Sequence, residues 1–438
     1  MQGNKKETYI SLATAVLVSA LLVIGLFSLL SGIEKKERKK AKPEKHVSEE
    51  QATDQTSTDK IRVVLKTNGF QEIVHKNVTI QSANGMILSY GEEKKECAPK
   101  ENITIDRDNP MFQKGSIVVE PKKEGEKLTI ASLKRGYGTP SYRGKLELYS
   151  SSEGIVLVNE LPLEEYLYAV VPSEMPASYE LEALKTQAVC ARSYAVKQTK
   201  DYSYPEYKAH VDDSVSFQVY GNSKEKDSAI QAVKETAGQK VWHHGSVATT
   251  YYFSTSCGRT TSSEAWGTKP NDANSYLQSV ELKGKESFYE EKLPWYRWKA
   301  TISEKILGEL ICKNTGQDIG TLKQVEVTKR GPGDVALQFK AIGEKGEVLV
   351  DTENKIRRAL GGKGYTIEKN DGKTVKSSEL LPSAFFQIKK EGKSYVIEGG
   401  GYGHGIGMSQ NGANEMAKEG KNYKEILQTF YQNIEVKK

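Results

Sequence analysis

The sequence predicts an α+β protein: a β-rich N-terminal part, then a helix-bearing core, the whole preceded by one transmembrane helix. Three observations carry this expectation. Thr8 to Ile33 holds no charged residue. From Ile61 the chain runs in short alternating apolar segments broken by turn residues, the period-two signature of strands. Beyond residue 160, apolar residues recur at three- and four-residue steps, as in helices that pack on one face.

The 438 residues leave room for two or three domains at roughly 100–200 residues each. A hydrophobic fraction of 37% and a charged fraction of 27% are ordinary for a globular chain. The net charge of +6 is mild and gathers partly in one linker. It suits an anionic wall or membrane surface, and no basic stripe of the kind that binds nucleic acid is present. Tyrosine outnumbers phenylalanine 23 to 10; its apolar ring with a polar tip suits carbohydrate contact and wet strand surfaces alike. The four cysteines, Cys97, Cys190, Cys257 and Cys312, form no C-x-x-C pair and imply neither a metal site nor a disulfide framework.

Taken in order, residues 1–9 read as a cytoplasmic head and 10–33 as a membrane anchor. Ile10 to Leu30 is dominated by Ile, Leu, Val, Ala and Phe and long enough to cross roughly 30 Å of hydrocarbon. Ser31-Gly32-Ile33 is a poor cleavage site and no lipid-accepting cysteine follows, so the anchor is expected to be retained. The flanking charges, Lys5, Lys6 and Glu7 before it and Lys35 to Lys45 after it, taken literally favour a cytoplasmic domain. Long domains translocate regardless, and the chemistry implied below belongs outside, so an extracytoplasmic domain is expected. Residues 34–60 are rich in Lys, Glu, Ser and Thr and read as a solvated linker. Residues 61–144 read as a β-rich accessory region, with runs such as Ile61-Arg62-Val63-Val64-Leu65 and Ile117-Val118-Val119. Residues 145–438 form the main domain, entered through a hairpin that leads into a helix Leu163–Val170.

The stretch Val170-Val171-Pro172-Ser173-Glu174-Met175-Pro176 then reads as a stiff, non-helical turn, since proline fixes φ and disfavours helix just before it. One carboxylate stands at its centre. A helix is expected from an N-cap at Ser178, with Leu181, Leu184, Ala188, Ala191 and Ala195 facing inward. Lys185 and Arg192 share another face, placed either to bind an anionic ligand near Glu174 or simply as surface cations. His210 to Tyr220 reads as a polar loop running into a strand, and Ala248 to Phe253 as a strand. Ser254 to Ser263 is a hydroxyl-rich loop ending near Trp266, suited to sugar recognition and to any turn. Residues 288–395 read as scaffold. In Gly399-Gly400-Gly401-Tyr402-Gly403-His404-Gly405-Ile406-Gly407-Met408-Ser409-Gln410 there are six glycines within nine residues. Glycine lets a backbone approach a ligand closely, Ser409 would cap a helix, and a histidine among glycines reads as functional. The loop is neither a Walker loop nor a dinucleotide fingerprint.

Taken together, Leu161-Pro162-Leu163-Glu164-Glu165-Tyr166-Leu167, Val171-Pro172-Ser173-Glu174-Met175-Pro176, Leu184-Lys185-Thr186-Gln187-Ala188 and Gly403-His404-Gly405-Ile406-Gly407-Met408-Ser409-Gln410 resemble the stage II sporulation protein D/LytB family over residues 145–438. The resemblance implies a membrane-anchored lytic transglycosylase acting on peptidoglycan glycan strands whose stem peptides a partner amidase has removed. It implies Glu174 as the catalytic residue, and Lys185, Arg192, Gln218, Ser254, His404, Ser409 and Gln410 as substrate-binding residues. Some members carry a zinc-binding stretch C-D-x-x-H-C-Q. Here the run is Asp212-Asp213-Ser214-Val215-Ser216-Phe217-Gln218, so no metal and no cofactor is expected. A single acid fits the implied chemistry, because the substrate's own C6 hydroxyl replaces the second carboxylate that hydrolytic glycosidases need. The rival reading, from the LytB branch, is a non-catalytic glycan-binding enhancer of a wall amidase.

Overall fold

The computed structural model describes residues 60–438. The stretches expected as a cytoplasmic head, an anchor at 10–33 and a linker, all but the linker's last residue, lie outside the described residues. Lys60 already belongs to a strand. Among the described residues, no helix is long and apolar enough to cross a membrane. The architecture is α+β, with seven α-helices and many short strands among the described residues.

The described chain divides into two compact units. The first comprises residues up to Tyr166 together with Tyr202–Tyr220, the second Leu167–Asp201 together with Gly221–Lys438. The expected division at 144/145 does not coincide with this, because the hairpin after it is hydrogen-bonded into the first unit. Its strands Lys145–Ser150 and Ile155–Pro162 pair antiparallel, and the second of them pairs with Lys60–Val64, Ile61 opposite Leu161. In this eight-stranded sheet Ile155, Val156, Leu157 and Val158 are all fully buried. A strand without polar alternation is covered on both faces. The segment Val211–Asp212 joins the same sheet, parallel to Lys60–Val64. The order expected for 210–220 is thus reversed, with the strand first and the loop after it. A second sheet of four strands completes the unit.

The second unit is built around helix α2 (Leu181–Gln198), which follows helix α1 (Leu163–Glu174). Every residue from Ala183 to Ser193 except Lys185 is buried. Such a helix is covered nearly all round, here by α3 (Asp227–Glu235), α6 (Gln410–Lys418), α7 (Tyr423–Phe430) and the strand Lys240–His243. Helices α4 (Glu304–Thr315) and α5 (Glu353–Leu360), a five-stranded sheet and a three-stranded meander form the remainder, matching the scaffold expected for 288–395. The strand expected over 248–253 shrinks to Tyr252–Phe253, which pairs in parallel with Met408–Ser409. That short pair brings the hydroxyl-rich and glycine-rich loops side by side.

Candidate functional site

The turn around Glu174 departs from expectation. Helix α1 runs through Pro172 and ends at Glu174, so most of the stretch is helical. Pro172 has no N–H to donate back along the helix. The helix is continued past it by the Ser173 hydroxyl, which donates to Ala169 O at 2.6 Å, and by Met175 N, which donates to Val171 O at 2.9 Å. The Ser173 oxygen also accepts from the backbone N–H groups of Asn222 and Ser223, each at 3.1 Å. It is Pro176 that stops the helix, by disfavouring helical geometry at Met175. The next helix starts at Leu181 with Glu180 as N-cap and no side-chain cap bond, not at a cap on Ser178.

Three amide side chains at the start of α6 grip this turn. Gln410 Nε2 donates to Glu174 O at 3.0 Å and to Gln187 Oε1 at 3.3 Å. Asn411 Oδ1 accepts from the Tyr179 hydroxyl at 2.5 Å, and Asn414 Oδ1 accepts from Glu180 N at 3.0 Å. The Glu174 side chain itself is half-buried. Gln187 is fully buried, and its Nε2 has no hydrogen-bond partner among the described residues. An orphaned buried donor costs about 1–3 kcal/mol, and here it lies one hydrogen bond from the amide that holds Glu174. Asn411, Asn414, Gln187 and Tyr179 were not picked out from the sequence; the spacing of 410, 411 and 414 on one helix is the signal that would have found the first two.

The structure thus brings Glu174 and Gln410 together, with Ser409 and Ser254 beside them. Asn411 N and Nδ2 both donate to Ser254 O, at 3.0 and 3.1 Å. Ser409 caps α6 by accepting from Gly412 N at 3.2 Å. The other expected ligands stand elsewhere. Lys185 pairs with Glu182 at 2.8 Å and Glu235 at 2.6 Å. Arg192 is 1% exposed and donates to Gln239 O, Val233 O and the Thr236 hydroxyl. It therefore braces the interior between α2 and α3, as expected of a cation on a helix covered on all sides. Gln218 belongs to the first unit, is buried, and accepts from the Tyr166 hydroxyl at 3.4 Å.

His404 is an organiser of its loop. Its Nε2 donates to Tyr252 O and its Nδ1 accepts from Ile406 N, both at 3.0 Å. The ring packs against Phe253 and Trp266, with centroids 5.5 and 5.0 Å away. Trp266 is half-buried and donates through Nε1 to Glu353 Oε1 at 3.0 Å. Burial holds the His404 pKa down at about 3, from an ordinary 6.5. The folded state binds fewer protons than the unfolded one between these values, so His404 stabilises the fold above pH 6.5 and loses that contribution as pH falls toward 3. Urea unfolding of the full chain is expected to weaken below pH 6.5 by up to roughly 1.4 kcal/mol per pH unit, a slope that a His404→Gln variant would lack.

The glycines beside it serve packing. Gly407 has φ +74°, and a Cβ there would lie 2.2 Å from Tyr251 O; Gly405 has φ +80°, with the Phe385 ring at 2.4 Å. Close approach is to the protein's own backbone and rings, not to an open cleft as the sequence suggested. Gly407→Ala is expected to cost about 2–5 kcal/mol of stability, combining left-handed strain with overpacking, as read from the shift in its denaturant midpoint.

The run 212–218 carries no metal-ligand set. Asp213 is paired with Arg135, both side chains fully buried, and its Oδ1 accepts from Lys66 N at 3.0 Å. Asp212 accepts from the Ser214 N–H and hydroxyl and from the Tyr204 hydroxyl. Among the described residues no three His, Cys, Asp or Glu side chains converge as metal ligands. These carboxylates do not fit a resident metal. All four cysteines are free thiols.

Residues 151–243 match the family described as stage II sporulation protein, and residues 239–407 match a domain family of unknown function. The chain is 32% identical over 294 residues to stage II sporulation protein D of Bacillus amyloliquefaciens, covering 64% of this chain and 75% of that protein. The corresponding protein of Bacillus subtilis (strain 168) is 31% identical over 301 residues, with 64% and 75% covered. The protein named amidase enhancer in the same organism is 30% identical over 291 residues, with 60% of this chain and 39% of that protein covered.

Proposed function

This chain belongs to the stage II sporulation protein D family, and we propose that it is a lytic transglycosylase of peptidoglycan. The observation that carries the reading is the fixed acid: a half-buried Glu174 at a helix end, its backbone carbonyl held by Gln410 at 3.0 Å. Protonated Glu174 donates to the glycosidic oxygen between MurNAc and GlcNAc. The C–O bond breaks, and the MurNAc C6 hydroxyl attacks C1. Glu174, now a carboxylate, takes the hydroxyl proton, which restores the acid and leaves a 1,6-anhydro end. General acid–base work of this kind needs a carboxyl held in one place within reach of the glycosidic oxygen. Ser254 and the polar end of α6 line the approach for the glycan.

The substrate is glycan freed of its stem peptides by a partner amidase, and the domain is held outside the cell by the segment 10–33. Incubating the full chain with peptide-free glycan strands and identifying the products by mass spectrometry tests the reading. Anhydro-ended fragments are expected; intact strands or reducing ends would overturn it.

A second reading keeps the glycan and drops the chemistry. It has the chain bind strands and stimulate the amidase, and it draws on the relative named amidase enhancer and on the structural roles of Arg192 and His404. Amidase stimulation that survives loss of the Glu174 carboxylate would favour it.

A further inference from the structure

Glu290 is 1% exposed and lies in a run, Phe288-Tyr289-Glu290-Glu291-Lys292-Leu293-Pro294, with no periodic or motif signal. Its carboxylate accepts three bonds from two separate loops. Oε1 takes Ser256 N–H at 2.9 Å and the Ser409 hydroxyl at 2.7 Å, while Oε2 takes the Ser256 hydroxyl. The Ser256 oxygen in turn accepts from Gly258 N at 3.1 Å. A Cβ on Gly412, in the first turn of α6, would come within 2.9 Å of Oε2, so the carboxylate is fitted closely against that helix.

A buried carboxylate is retained only where its acceptors are satisfied. Here the bonds that satisfy it join the hydroxyl-rich loop to the N-terminus of α6, and the next residues of α6 hold the turn. We propose that Glu290 is the positioning residue of the site: through Ser256 and Ser409 it fixes the start of α6, so that Gln410 and Asn411 hold Glu174 and Tyr179 in place. Glu290 touches no substrate. The proposal rests on the reading of Glu174 given above only for its effect on rate; the mechanical link stands on the hydrogen bonds alone.

Burial raises the Glu290 carboxyl to about 7, with Glu415 on α6 adding to the shift against the bonds from Ser256 and Ser409. Tyr179 and Cys257 also face it, and each has its own pKa raised partly by its charge. Protonation would place a hydrogen where the Ser256 or Ser409 hydroxyl now donates, so the grip should slacken as pH falls through 7.

The test is hydrogen–deuterium exchange of the full chain, corrected for intrinsic exchange, with Glu290→Leu and Glu290→Gln. Glu290→Leu removes both acceptors and is expected to speed exchange at 172–176 and 409–412 by about tenfold or more through local opening. Glu290→Gln, neutral like the protonated carboxyl, keeps Oε1 as an acceptor and is expected to hold protection at the wild-type pH 6 level, well above that of Glu290→Leu, and to abolish the change between pH 6 and 8. On glycan, Glu290→Leu should lower kcat with KM unchanged, and Glu290→Gln should restore it to the wild-type level at pH 6.

The proposal is overturned if Glu290→Leu leaves 172–176 at wild-type protection, or if Glu290→Gln keeps the wild-type pH dependence. Should Glu290→Leu not fold, the Glu290→Gln profile decides by itself. If the wild type releases no anhydro product, the transglycosylase reading fails while the exchange result still judges Glu290.

Discussion

Replacing Glu174 by glutamine is expected to lower release of anhydro-ended saccharides from peptide-free glycan by about 10²–10⁴-fold, the usual weight of a general acid–base group. The amide is nearly isosteric, and the bond from Gln410 goes to the backbone carbonyl, not to the side chain. The turn should therefore keep its geometry and the protein its stability. KM should change little, since the lost proton transfer belongs to the transition state. Product mass spectrometry with single-turnover kinetics checks it. Undiminished release by the glutamine variant would remove Glu174 from the mechanism, and undiminished amidase stimulation would move the chain to the enhancer reading.

The second large effect concerns the Arg135–Asp213 pair in the first unit. Arg135 Nη2 also donates to Lys66 O at 2.7 Å, and its guanidinium lies 4.3 Å from the Phe70 ring centroid. Asp213 is pushed up to about 6 by burial, against the pull of Arg135. Removing one partner leaves the other charge buried and alone, so Arg135→Met or Asp213→Leu is each expected to cost about 3–5 kcal/mol, and the two together far less. A double-mutant cycle on the unfolding midpoint measures the coupling. Additive single losses would show that the two charges do not depend on each other. The sign with pH also follows. Because the folded pKa exceeds the unfolded value, stability from Asp213 is full below pH 3.8 and declines as pH rises through 6.

The strands of the first unit, the helices of the second and the Glu174–Gln410 neighbourhood were legible in the sequence, because each rests on period or on an ordered motif. The misreadings share a cause: local chemistry outvoted by tertiary contacts. Pro172 looked like a helix breaker, but Ser173 and Met175 bridge it. The glycines around His404 looked like a ligand cradle, yet their space is filled by Tyr251 and Phe385. Arg192 looked like a glycan ligand or a surface cation, although the Ala-, Cys- and Ser-rich helix around it offers no surface. Glu290 had no local mark at all, since its meaning comes from two serines, at 256 and 409, far apart in the chain.

The grip of α6 on the turn joins Gln410 to Glu174 across 236 residues and Asn411 to Tyr179 across 232. Contacts so distant form late, after the entropy of closing a long loop has been met. A chain growing from its N-terminus therefore carries its acid long before it carries the clamp. The unfinished protein holds Glu174 on an unbraced turn, and the turn is braced only when Gln410, Asn411 and Asn414 have docked. A truncation just before Ser409 should therefore yield a chain that keeps Glu174 and lacks the amide groups that hold its turn.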